Sequence, residues 1–402
     1  MARIDNLSNF LSDVATAIRK KKGTTDTILA SNFDTEIASI ETGGGTTEPT
    51  FTGHYDAEGL RQIGWTDEEI EYYQQNGVQW NESEDNYFKL TDTELAGDDS
   101  SNTRFLPKNS TKKSFNGYYR LLAIPLLNTT SLTNMGSMFY YCYSLTTIPL
   151  LDTSNVTNMN NMFASCYSLT TIPQLETSKV TNMSYMFASC YSLTTIPLLD
   201  TSKVTSIGSM FSGCYSITTI PLLDTSSVTS MNNMFYSCYS LKAIPQLDTS
   251  KVTSMNNMFA SCYSLTTIPQ LETSKVTSMN NMFSSCSSLT TIPLLDTSKV
   301  TSIGSMFSGC AALTNFDGLE NLGQAYVTTQ SANYSSYKLD LSKSTKLTEQ
   351  SLINVLTNLY DIKTKGCKAQ QVVLGSTNLA KLVSEEGQQA LSNAQAKGWS
   401  IS

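Results

Sequence analysis

The chain has 402 residues, a formal net charge of −8 and 15% charged residues, room for two or three domains with an ample core. The acidic balance argues against nucleic acid as a partner. No stretch has the apolar length of a membrane-spanning helix, and the N-terminus lacks an apolar signal core behind a basic head, so neither membrane insertion nor conventional export is expected.

Residues 1–40 read as a helical module. Leu7, Phe10, Leu11, Val14, Ala15 and Ile18 recur at helical spacing, and Arg19-Lys20-Lys21-Lys22-Gly23 closes the first helix with charges that suit a helix C-terminus. A second short helix is expected from about Ala30 to Ile40. Two such helices cannot bury a core alone, so the module should attach to a partner or oligomerise. Residues 41–52, Gly/Thr-rich, read as a flexible linker. Residues 53–120 form an acidic region expected to act as an N-terminal cap on the long segment beyond it: thirteen Asp/Glu lie between Gly53 and Ser100, against Arg61 and Lys89. Within it Thr66 is placed to cap a helix that ends at Asn76-Gly77.

From 121 to 316 the chain repeats. Cys142, Cys166, Cys190, Cys214, Cys238, Cys262, Cys286 and Cys310 stand 24 residues apart, and Pro125 to Pro293 keep the same beat. A fixed period of this length means a solenoid whose coils bury their apolar faces against one another. Within one coil Leu169, Ile172, Leu175, Val180, Met183, Met186, Phe187 and Cys190 converge inward. L-T-T-I-P is the expected strand, closed by a proline that cannot donate to a ladder. Asp/Glu-Thr-Ser reads as a turn bonding its own amides, and V-T-x-M-x-x-M-F as a short helical or irregular return. Eight coils at the strand spacing give roughly 40 Å of stack. Past Cys310 the period breaks. Residues 317–402 alternate strands (Leu339–Ser342, Gln371–Gly375, Trp399–Ile401) with two helices, one of them running through STNLAKLVSEEGQQALSNAQAKG, as a C-terminal cap. The fold class is therefore an α/β repeat solenoid with one short strand per coil, a helical head and an α/β cap.

The residues offer little for catalysis. His54 is the single histidine, which argues against a histidine triad or zinc site. Asp152, Glu176, Asp200, Asp224, Asp248, Glu272 and Asp296 form a stripe of equivalent environments, whereas acid–base work needs unequal ones. Lys179, Lys203, Lys251, Lys275 and Lys299 follow five of these acids by three residues, so solvated charge pairing is expected over a calcium ladder. The cysteine column should be buried free thiol, since stacked equivalents point in parallel and present poor geometry for a disulfide. Cys367 lies outside the column and reads as an ordinary thiol. No catalytic residue, metal or cofactor is assigned.

Tyr143, Tyr167, Tyr191, Tyr215, Tyr239 and Tyr263 each follow a column cysteine. Because cysteine points in, these rings should lean out beside Thr170, Thr171 and their equivalents. Such a face suits sugar stacking or a protein partner; alternatively each ring packs on the next and stabilises the stack.

The M-F-x-x-C phrase with its 24-residue period resembles the BspA-like leucine-rich repeats of bacterial surface proteins and of phage tail proteins of Gram-positive hosts. The text LSDVATAIRKKKGTTDTI, then FDTEIASI, is similar to a head segment of phage tail and baseplate proteins. Together these resemblances imply a tail-associated virion protein, assembled in the host cytoplasm. It would be held to other virion proteins through residues 1–40, be homo-oligomeric, and present the solenoid to a host-surface glycan or protein. The alternative is a bacterial cell-surface adhesin. A third reading is a virion component that binds no host ligand.

Overall fold

In the computed structural model, the structure describes residues 114–121, 129–148, 150–329, 338–364 and 369–402. The head, the linker, most of the region 53–120, His54, Pro125, Pro149 and Cys367 lie outside the described residues.

The coil is built on a period of three. Cys166, Leu169, Ile172 and Leu175 point inward, the phase slips at buried Thr177, and Val180, Met183 and Met186 resume it before Phe187 and Cys190. Turns with i→i+3 hydrogen bonds drive the bending: Val180 N to Thr177 O (2.9 Å), Met186 N to Met183 O (3.1 Å), Cys190 N to Phe187 O (3.0 Å). Two residues per coil adopt the left-handed conformation, as at Asn161 (φ 54°) and Ser165 (φ 63°), or Ser209 (φ 56°) and Gly213 (φ 77°). Asn, Ser and Gly tolerate that region best, which accounts for their recurrence there. Tyr141 and Tyr185 are bulkier exceptions.

Coils are joined by parallel backbone bonds in both directions. Thr181 N donates to Thr157 O of the preceding coil (2.9 Å), while Met183 N and Phe187 N donate to Ser206 O and Met210 O of the next (2.9 Å each). A threonine belongs inside each described coil, and of these Thr201 alone leaves its hydroxyl without a hydrogen-bond partner. The Thr177 hydroxyl donates to Asp200 O at 2.9 Å, and Thr153, Thr225, Thr249, Thr273 and Thr297 repeat the bond. A buried hydroxyl so paired avoids the desolvation penalty an unpaired one would carry.

The strand expected in every coil is not there. Among the described residues, L-T-T-I-P forms a two-residue strand only at β1, Thr291–Ile292; its partner β3, Asn315–Phe316, occupies the same place in the following coil. β2, Leu295–Asp296, pairs with β4, Leu319–Glu320. Elsewhere parallel pairing is carried by single bridges, mostly at the V-T-Asn/Ser-Met corner: Asn134–Asn158–Asn182–Ser206 and Ser230–Ser254–Ser278–Ser302. A chain that turns inward every third residue keeps no extended run, and proline removes a donor where the run would continue. The return segment is irregular rather than helical.

The stack reaches beyond residues 121 and 316. Phe115 stacks on Phe139 (5.6 Å) and Tyr119 on Tyr143 (5.1 Å), so residues 115–121 already hold coil positions. After β4 come helix α1, Gln324–Thr329, which the sequence pattern did not suggest, then β5, Lys338–Asp340, α2, Glu349–Thr357, β6, Gln370–Val373, α3, Gly375–Leu379, α4, Glu385–Ala396, and β7, Trp399–Ile401. Strands β5, β6 and β7 form a parallel sheet in that order. The single long helix expected after Gly375 is instead two, because Ser384 accepts from Gly387 N and starts α4 afresh. Thr348 caps α2 in the same way. One continuous buried cluster runs from Phe115 to Trp399. The cap joins the last coil through Ser351, whose hydroxyl accepts from Phe316 N (2.9 Å) and donates to Thr314 O (3.2 Å).

Candidate recognition face

Inside the coil, side chains form columns. Phe139 to Phe307 stack with centroids 5.6–5.9 Å apart. Beside them all eight column cysteines are free and buried. Each thiol donates to the carbonyl of the phenylalanine 27 residues earlier, as Cys214 Sγ does to Phe187 O at 3.1 Å and Cys238 Sγ to Phe211 O at 3.0 Å. Burial pushes the thiols of Cys142, Cys190, Cys262 and Cys310 up to about 12, and those of Cys166, Cys214, Cys238 and Cys286 well above the ordinary value. They stay protonated and unreactive near neutral pH.

Outside, the tyrosines form a second column. Tyr143, Tyr167, Tyr191, Tyr215, Tyr239 and Tyr263 stack nearly parallel at 4.4–4.8 Å. The first five are half-buried. Partial burial, followed by the neighbouring phenols of Tyr191 and Tyr239, pushes the Tyr215 hydroxyl up to about 12. Tyr167 is raised to about 12 likewise. Within the column each ring covers its neighbours' faces, so an outside ligand meets edges and hydroxyls. Thr170 and Thr171 are exposed on the next outward positions of the same segment. Thr194 donates its amide (3.1 Å) and hydroxyl (3.3 Å) back to Thr170 O. At Lys242-Ala243 the paired threonine rows are interrupted.

The carboxylate stripe differs from expectation. Each acid caps its own turn: Asp200 Oδ1 accepts from Ser202 N (3.0 Å) and Ser202 Oγ (2.7 Å), and Asp152, Glu176, Asp224, Asp248, Glu272 and Asp296 accept from the amide two residues on. The serine hydroxyl first, then the amide, lowers Asp152, Glu176, Asp200, Asp224 and Asp248 below the usual carboxylate range. The described residues hold an ion pair at Lys338–Asp340 (2.9 Å) and none along this stripe. Lys179 bonds Asn155 of the preceding coil instead (2.9 Å). A turn amide two residues away is presented by the backbone itself, while a long lysine must surrender side-chain entropy to reach its acid.

A further column escaped the sequence reading. Leu150, Leu198 and Leu222 stand 64–67% exposed directly after the proline position. Where glutamine occupies that position it clips coils together: Gln174, Gln246 and Gln270 each donate to a carbonyl of the following coil at 2.8 Å. The signal in the sequence is that some repeats read P-L-L and others P-Q-L.

Stacked columns of Phe, Cys, Thr and Tyr in 24-residue register define a repeat solenoid of leucine-rich-repeat-like kind. No curated protein matches the chain. It belongs to the family described as "Mycoplasma protein of unknown function, DUF285", which matches residues 109–221 and 216–321, more than half its length. Among solved structures it is similar to a leucine-rich repeat protein from Eubacterium ventriosum, with 19% identity, 50% of this chain and 56% of that one covered, and a TM-score of 0.33. A T. pallidum leucine-rich repeat protein has 17% identity, coverage of 57% and 83%, and a TM-score of 0.25. The functional domain of InlJ from Listeria monocytogenes has 15% identity, coverage of 64% and 70%, and a TM-score of 0.20. The chain thus spans little more than half the length of the first of these.

Proposed function

We propose that this chain is a non-catalytic recognition scaffold of the bacterial cell-surface adhesin type, whose tyrosine and threonine columns engage a repetitive surface ligand. The observation that supports it most is the column from Tyr143 to Tyr263: aromatic edges and hydroxyls repeated in register beside exposed threonines, with no counterpart in the buried machinery of the coil. A repeating ligand meeting such a face gains avidity without new contact types. A glycan or repetitive surface protein suits it better than a single small molecule.

A second reading places the same scaffold on a phage tail, assembled in the host cytoplasm and attached as an oligomer through residues 1–40. It is favoured by the likeness of that segment to phage tail and baseplate heads. One cell-binding assay addresses both. Tyr191→Ala alone should lower binding little, while Tyr191, Tyr215 and Tyr239 replaced together should lower it at least tenfold in a protein that still melts cooperatively. A folded triple variant that binds cells unchanged would make the column purely structural. Removing residues 1–40 should leave cell binding intact in either case; on the second reading it also excludes the protein from phage particles, and normal incorporation would end that reading.

A further inference from the structure

Stacked rings hide their faces, but a stack has ends. At the C-terminal end, Tyr263 lies on Tyr239 at 4.8 Å, and the equivalent position in the next coil is Ser287, followed by Ala311. Exposure rises accordingly: Tyr263 is 43% exposed, while the rings from Tyr143 to Tyr239 are half-buried. The column therefore ends at Tyr263, whose outer face stacks on no further ring among the described residues, leaving a notch in the column where the next two coils carry an exposed serine and an exposed alanine.

We propose that this notch is a carbohydrate subsite, in which the face of Tyr263 stacks against the C–H face of an uncharged pyranose ring. The inference rests on the recognition reading above and names the ligand class and place for it. Three observations carry it. First, the missing ring leaves room for one flat ring at the column's own period of 4.4–4.8 Å, the separation at which an aromatic face meets another flat ring. Second, the outward residues beside the notch, Ser264, Thr266, Ser287, Ser288 and Thr290, are all hydroxyl-bearing and exposed or half-buried. The Thr290 hydroxyl donates to Thr266 O at 3.0 Å and that of Ser287 to Tyr263 O at 3.5 Å, which leaves their oxygen lone pairs directed to acceptor roles for sugar hydroxyls. Third, none of these positions is charged, which fits a neutral sugar and not a phosphate or acidic peptide. A protein partner needs on the order of 800 Å² on each side, far more than one ring face supplies.

The same geometry separates this subsite from contacts along the rest of the column, where a ligand meets ring edges and hydroxyls. Interior rings have no face to give; at the C-terminal end the terminal ring, Tyr263, does.

The test is a titration of the full chain, carrying ¹³C-labelled tyrosine, with chitotetraose and with cellotetraose, read by NMR. The expected result is a saturable shift confined to the Tyr263 ring. Tyr263→Phe, which keeps the ring, should hold affinity within about threefold. Tyr263→Ala should weaken it at least tenfold. It uncovers Tyr239, but one coil farther from the Ser287–Thr290 hydroxyls, by roughly 4.8 Å. Thermal melting of each variant verifies folding. Shifts spread over Tyr167 to Tyr239, with Tyr263→Ala binding normally, would overturn the subsite and leave the recognition face standing. The same conclusion holds if neither saccharide binds while cells still bind wild type but not the triple variant: the ligand is then a protein or a charged polymer. If neither saccharides nor cells bind, both the subsite and the recognition reading fall.

Discussion

Above pH 9 this protein is expected to lose stability steeply as the pH rises. The cause is the cysteine column. Eight thiols are buried, free and hydrogen-bonded to phenylalanine carbonyls, and in the folded state burial raises four of them to about 12 and the other four well above the ordinary value of 9.0. Below that ordinary value both states carry the proton and the column contributes no pH dependence. As pH passes through it the unfolded chain releases protons that the folded one keeps, so the unfolded state gains and stability falls. At pH 10 every buried thiol pushes the balance the same way, toward the unfolded chain, so the eight reinforce one another. The raised phenols of Tyr167 and Tyr215 act in the same direction at still higher pH. Guanidinium unfolding under reducing conditions from pH 7 to 10.5 measures this directly. A midpoint that stays level between pH 8 and 10 would contradict the buried column. As an internal control, a thiol reagent at pH 8 should leave the eight untouched until denaturant is added.

Phe211→Ala is expected to be the most damaging single truncation among the column residues. Phe211 is fully buried, stacked at 5.7 Å on both Phe187 and Phe235, and its carbonyl accepts from Cys238 Sγ (3.0 Å) and Cys214 N (3.0 Å). Truncation removes two ring contacts and opens a cavity that the turns on either side cannot close, a cost of about 3–5 kcal/mol. Because coils touch only their neighbours, the loss should be felt as local opening in the middle of the array. Hydrogen exchange should accelerate around Phe187 and Phe235 and much less near Phe115 and Phe307. A cost below about 1 kcal/mol would mean that the phenylalanine column is not what holds adjacent coils together. Tyr215→Ala, on the half-buried outer column, should cost clearly less.

How much of the fold and the face is legible in the sequence depends on which interactions are local. The inward set, from Cys166 through Phe187, can be read because burial repeats with the period. The Asp-Thr-Ser turns can be read because donor and acceptor lie two residues apart. L-T-T-I-P misleads: its composition favours a strand, but the three-residue bend of the coil overrides propensity, and only the coils nearest the cap straighten enough for β1 to β4. The lysine–carboxylate spacing misleads differently, since sequence shows who is near but not that a turn amide has already taken the acceptor. The tyrosine column is visible in the sequence. That its interior faces are spent on one another, leaving those of the end rings such as Tyr263, depends on ring orientation, which no spacing encodes.

The two left-handed residues in each coil place every 24-residue unit in the same frame as the one before, and the interlocking thiol, threonine and aromatic contacts are interchangeable between units. Excising residues 190–213 would bring Phe235 onto Phe187, and Cys238 would find the Phe187 carbonyl where it had that of Phe211. Nothing in the join would be new. Copy number is therefore a whole-number dial: gaining or losing whole repeats would lengthen or shorten the reach of the molecule while leaving its terminal aromatic shelf and its cap unchanged.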